Sequence, residues 1–149
     1  FRRVLFRSMI EEISLFLQGL VYFLVAHVFY VTAFSTGYDF DYWNIILALF
    51  LLVGAFLYYR AIWKARGKHY IPALVYIIIL VAMLYFAVTS LNNGIHPRGI
   101  LLATGAILFV LSDMVLGYNT FISTIPHSTV VTWSLYAPAQ MFIAISCFY

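Results

Sequence analysis

The sequence predicts an all-α fold, a polytopic membrane helix bundle of about five transmembrane helices. Composition is the first reason. Of 149 residues, 65% are hydrophobic and only 9% charged, whereas soluble domains carry about 25% charged residues. Length is the second: five segments approach the roughly 20 apolar residues a helix needs to cross a hydrocarbon core of about 30 Å. Pattern is the third. Runs such as "IILALFLLVGAFLYY" (45–59) are unbroken, while barrel strands would alternate over short segments.

The first eight residues, "FRRVLFRS", contain what one reading frame of a common sequencing adapter encodes. Phe1–Ser8 are therefore expected to be non-native, leaving residues 9–149 as a single transmembrane helical domain. Within it the spans fall at about Ile13–Phe34, Trp43–Trp63, Ile71–Leu91, Gly99–Leu116 and Thr129–Phe148, the last interrupted by Pro138. Short polar connections separate them. "STGYDFDYWN" carries two aspartates and no basic residue. "RAIWKARGKHY" carries Arg60, Lys64, Arg66 and Lys68. "NNGIHPRG" is a Gly/Pro turn, and "GYNTFISTIPHS" is polar and uncharged. Basic loops stay in the cytoplasm, so the 60–68 loop is expected inside and the Asp39/Asp41 loop outside. Tyr42, Trp43, Tyr58, Tyr59 and Trp63 fall near the ends of the second span, where amphipathic rings anchor at the interface.

The net charge of +3 is concentrated in two short basic clusters, a topology signal and no sign of nucleic-acid binding. Cys147 is the sole cysteine and excludes an internal disulfide. His69, His96 and His127 lie in loops without the spacing of a zinc motif. Neither a GxSxG elbow nor a glycine-rich phosphate loop is present. Gly54, Gly105 and Gly117 read as sites of close helix packing.

Four polar residues lie inside the spans: His27, Asp113, Tyr136 and Gln140. An aspartate at a helix centre costs about 2.5–3.5 kcal/mol on insertion scales, so it is expected to face the bundle interior beside a partner. At about 1.5 Å per residue, Asp113 and His27 each lie roughly 20 Å from the outer end of the fourth span and the inner end of the first. Tyr136 and Gln140 lie roughly 12 and 18 Å from the inner end of the fifth. The levels overlap. Tyr136 and Gln140 share a helix face, as do His27 and Tyr30. One polar cavity opening toward the cytoplasmic leaflet could hold them all. Each also has a plainer role: Asp113 as a bridge near a helix end, His27 and Tyr136 as packing residues, Gln140 as interhelical glue.

Three stretches carry a resemblance. "GAILFVLSDMVLGYNTF" (105–121), "YAPAQMFIA" (136–144) and "FLQGLVYFLVAHVFYVTAF" (16–34) together resemble the YhhN/TMEM86 family of multi-spanning membrane proteins, the lysoplasmalogenases. The resemblance implies an eight-span fold, of which this chain would be the last five, and hydrolysis of the vinyl ether bond of lysoplasmalogens to a fatty aldehyde and a glycerophospho-base. Carried over, Ser112 and Asp113 match the S-D element. His27 and Tyr30 match the A-H-x-x-Y element, and Tyr136 and Gln140 the Y-x-x-A-Q element. Asp113 would be catalytic; His27, Tyr30, Ser112, Tyr136 and Gln140 would line the cavity. The family's earlier G-D-x-x-L motif has no counterpart: the chain has "SMIEEIS", with Glu11 and Glu12 reading as a solvated helix start. That departure agrees with truncation and puts the activity of the chain alone in doubt.

Vinyl ether hydrolysis is acid chemistry, so the implied site needs a carboxylic acid kept protonated near neutrality. Removal from water favours the neutral form, and a second carboxylate nearby would divide the acid and base roles. The implied partners are a lysophospholipid substrate and membrane lipid; no cofactor or metal is required. The adapter-like start suggests an environmental sequence and hence a bacterial inner membrane. Two other classes compete. A proton-coupled transporter also uses intramembrane Asp and His and would show helices broken at mid-membrane in related repeats. A structural subunit would pair Asp113 with another protein's basic residue and need no cavity.

Overall fold

Among the described residues, five helices follow one another: α1 (Arg2–Ser35), α2 (Tyr42–Lys64), α3 (Tyr70–Thr89), α4 (Pro97–Phe121) and α5 (Ser128–Ser146). They belong to a computed structural model that describes residues 2–64, 70–92 and 96–149. Arg66, Lys68 and His69 of the basic loop, and Gly94 of the following turn, lie outside the described residues.

The expected spans are all present as helices, with shifted ends. α1 is the largest departure. It starts at Arg2, so Glu11 and Glu12 lie within a helix and not at its start. Its other end is set by Gly37, whose φ of 79° is open to a residue without a Cβ. α4 begins at Pro97, where the missing N–H would be unpaired in any case. α5 runs through Pro138 even though proline cannot donate to the carbonyl one turn back.

α1 packs on α3, α3 on α4, and α4 along α5; α2 packs along α3. The α4–α5 seam is close because Gly105 has no side chain. A Cβ there would lie 2.8 Å from Ile143 Cγ1 and 3.0 Å from the Ala139 carbonyl oxygen. Here the small-residue packing expected of Gly105 holds. The core lies between α1, α3, α4 and α5, around Phe34, Met83, Leu102, Phe109 and Ile143.

A polar knot closes the end of the bundle at the α1–α2 connection. Asn44, buried at 2% exposure, donates to the Tyr38 hydroxyl (3.2 Å) and the Asp39 carbonyl (3.1 Å). It accepts from Asn92 (2.7 Å). Tyr38 and Tyr85 share a further hydroxyl pair at 2.6 Å. The buried Asn44 amide thus finds partners for both its oxygen and its nitrogen.

Outside this framework the surface is apolar. Phe29, Phe50, Phe56, Trp133 and Met141 are each more than half exposed. Tyr42–Trp63 and Pro97–Thr120 are long and apolar enough to cross a membrane, and only 6% of the most apolar window of the first is buried. Val21–Ser35 and Leu74–Thr89 are shorter apolar stretches. A helix apolar all round and left uncovered by protein requires lipid as its solvent.

Candidate functional site

Asp113 comes from the middle of α4 and is 7% exposed. A carboxyl withdrawn from water needs hydrogen-bonding partners, and α3 supplies one: the Tyr76 hydroxyl donates to Asp113 Oδ2 at 2.5 Å. The tyrosine ring in turn packs at 5.7 Å from Phe23 and 5.9 Å from His27, centroid to centroid. Its orientation is therefore held by α1.

Asp113 borders a cavity of about 670 Å³ between α2, α3 and α4, which Gly19 and Phe23 of α1 also reach. The walls are aliphatic and aromatic, with Leu80 and Leu84 from α3, Phe50 and Leu51 from α2, and Ile107 and Val110 from α4. Polar side chains are confined to one part of it: Asp113, Tyr76, Tyr58 and Thr120. An apolar pocket of several hundred Å³ with a few convergent polar groups is the general form of a small-molecule site.

Tyr58 bridges the two helices flanking this cavity. Its hydroxyl donates to the Met114 carbonyl at 2.9 Å, linking α2 to α4. Gly117 makes the reach possible, because a Cβ at that position would collide with the Tyr58 hydroxyl. Gly54 behaves differently from the packing role expected of it: a Cβ there would meet nothing within 4 Å, because the residue faces the cavity.

The other sequence-derived candidates lie on the far side of an aromatic partition. His27 is fully buried, with Phe23 at 4.5 Å, Phe109 at 5.0 Å, and Tyr30 and Tyr76 at 5.9 Å between ring centroids. Its Nδ1 lies 2.7 Å from the Phe23 carbonyl. A carbonyl only accepts, so Nδ1 carries the proton, and among the described residues nothing hydrogen-bonds Nε2. Tyr30 donates to Gln140 Oε1 at 2.9 Å, tying α1 to α5. Ser112, also fully buried, donates to the Thr132 carbonyl at 3.1 Å and ties α4 to α5. Tyr136 packs on Phe109 at 5.6 Å.

The single polar cavity expected from matching depths is thus divided. Asp113 lines the open space; His27, Tyr30, Ser112, Tyr136 and Gln140 do not. Phe109 is fully buried in the core, whereas its neighbour Val110 lines the cavity. Rise per residue predicts level along a helix, but neighbours in sequence are rotated by about 100°. Ser112 and Phe109 turn toward α5 and α1, while Asp113, Val110 and Gly117 turn toward α2 and α3. Tyr76 and Tyr58 were not among the expected site residues. The signal available for both was a hydroxyl inside an apolar span, which must find a partner.

The sequence pattern of the YhhN family matches residues 5–147. Among curated proteins, the chain is 32% identical over 131 residues to the lysoplasmalogenase TMEM86B of Homo sapiens, covering 88% of this chain and 53% of that protein. It is 33% identical over 131 residues to TMEM86B of Sus scrofa, with the same coverage. It is 32% identical over 146 residues to the lysoplasmalogenase TMEM86A of Bos taurus, covering 91% of this chain and 57% of that one. The chain spans about half the length of the curated relatives it matches. No solved structure matches it.

Proposed function

The chain belongs to the YhhN family, and on that premise we propose that it forms the lipid-binding and acid-donating part of a membrane hydrolase that cleaves the vinyl ether bond of lysoplasmalogens. One observation carries the reading: a buried carboxyl, held by a tyrosine hydroxyl, borders an apolar cavity of a size suited to a lipid chain. The named relatives are lysoplasmalogenases, and the chemistry that name implies needs an acid beside a hydrocarbon chain.

Asp113 donates its proton to the β-carbon of the alkenyl ether, whose π-electrons form the new C–H bond. An oxocarbenium ion results on the adjacent carbon, with the Asp113 carboxylate as counter-charge. Water adds to that carbon and loses a proton to the carboxylate, giving a hemiacetal. The hemiacetal collapses to the fatty aldehyde and the free glycerol hydroxyl. One water is consumed, and the acid is regenerated. Tyr76, fixed on Oδ2, leaves Oδ1 to carry the transferable proton and stabilises the carboxylate as charge develops. The apolar walls keep bulk water from the cation until the ordered water attacks.

All five helices cross the membrane in this reading. The 60–68 loop lies in the cytoplasm of a bacterial inner membrane, and the lysophospholipid head group sits at that leaflet near the Tyr58 and Thr120 end of the cavity. The helices bearing Asp113, His27, Tyr136 and Gln140 each run without interruption, which favours a hydrolase over a carrier built on broken helices. The decisive experiment is Asp113→Asn, in this chain and at the aligned aspartate of a full-length relative, each reconstituted in nanodiscs with an alkenyl lysophospholipid. Loss of aldehyde release with helicity retained is expected. Undiminished release would overturn the catalytic assignment, and movement of unaltered solute across proteoliposomes would favour the transporter.

A further inference from the structure

We infer that Gly54 is the residue that admits the hydrocarbon tail, and so sets the chain length the cavity accepts. The contacts around the cavity divide it into three levels along the helices. At the first, Tyr58 of α2 reaches α4 at Met114, beside Asp113, which is itself bonded to Tyr76 of α3. One helical turn away, about 5–6 Å, the corresponding positions are Gly54, Val110 and Leu80; a further turn brings Phe50, Ile107 and Leu84. All line the cavity.

The middle level is unequal. Val110 and Leu80 project side chains into it from α4 and α3, whereas α2 contributes a glycine. No close contact among the described residues calls for a glycine there. Its surroundings are open, with nothing within 4 Å of an added Cβ, and α2 packs along α3 without using it for close approach. A glycine inside a helix is also unfavourable relative to alanine. An unfavourable residue without a packing contact, one helical turn from the Asp113 level of an apolar cavity, is explained by the space it leaves. Any side chain there would stand between the Asp113 level and the Phe50–Leu84 level, in the path of a tail whose vinyl ether lies at Asp113.

The inference rests on the hydrolase reading for the nature of the lipid, but the channel itself is tested by binding. The probes are saturated ether lysolipids, butyl- and hexadecyl-glycerophosphocholine, which cannot be cleaved, measured on the chain in nanodiscs by displacement of a fluorescent fatty chain. Alkenyl lysolipids of the same two lengths are assayed for aldehyde release. Gly54→Leu is expected to weaken hexadecyl binding about tenfold or more, the range one misplaced hydrocarbon group produces in an apolar pocket, while binding of the butyl chain, which ends short of the Gly54 level, changes little. Gly54→Ala should lie between. The Ala and Val variants carry the same graded comparison should Leu disturb assembly.

Equal loss at both lengths, or no loss at either, overturns the proposal. Chain-length selection of binding without aldehyde from the unaltered chain would leave the proposal standing and count against the hydrolase reading. Aldehyde release that ignores chain length in the Gly54 series would do the reverse.

Discussion

Tyr76→Phe isolates a single interaction. The substitution removes one oxygen and keeps the ring, so the contacts of that ring with Phe23 and His27 at 5.7 and 5.9 Å survive. What is lost is the 2.5 Å donation to Asp113 Oδ2. A hydrogen bond to a charged group contributes about 1.5–3 kcal/mol, and among the described residues Tyr76 is the one side chain that donates to Asp113. In the proposed mechanism the carboxyl is neutral before proton transfer and charged after it, so most of that energy belongs to the transition state. At 1.36 kcal/mol per decade, turnover should fall roughly 10- to 150-fold. Aldehyde release, coupled to an NADH-dependent alcohol dehydrogenase, measures it. Since Tyr76 acts through Asp113, the double variant with Asp113→Asn should be no slower than Asp113→Asn alone. The reasoning is refuted if Tyr76→Phe turns over at the unaltered rate, or if the two losses add in full.

Three further substitutions probe the frame around the site. Gly105→Leu forces atoms into the space occupied by Ile143 and the Ala139 carbonyl; it should destabilise the α4–α5 seam by at least about 1–3 kcal/mol, read as a lower midpoint of thermal unfolding in detergent. His27→Ala removes a fully buried ring from an aromatic cluster and should cost about 3 kcal/mol, whereas His27→Phe should keep the fold. Turnover in the Phe variant then separates packing from chemistry, since only a chemical role would abolish aldehyde release in a folded protein. Asn44→Ala strands the Tyr38, Asp39 and Asn92 partners at the opposite end. It should lower stability by about 2 kcal/mol with activity retained, measured by unfolding and aldehyde assays together.

Part of the site is legible in the sequence alone. Asp113 stood out because a carboxylate in an apolar run is costly, and it does border the cavity. His27 and Gln140 stood out for the same reason, yet they are spent on a ring cluster and on a bond to Tyr30. Tyr76 carries no such signal, because a tyrosine in a membrane span has many ordinary explanations, and nothing in "ALVYIII" says that its hydroxyl meets an aspartate 37 positions later. Gly54 and Gly105 look alike in sequence; one lets two helices touch, and the other faces open space.

By itself the sequence determined the solvent, the number of helices and their approximate extents, and the level of each polar residue along its helix. Those are one-dimensional quantities, set by composition, by the length of apolar runs and by a fixed rise per residue. Only the tertiary structure decided which residues at one level meet. That depends on the rotation of each helix about its own axis, which packing at Gly105, the Phe23–Phe109 cluster and the Tyr58–Met114 bridge imposes between segments far apart in the chain.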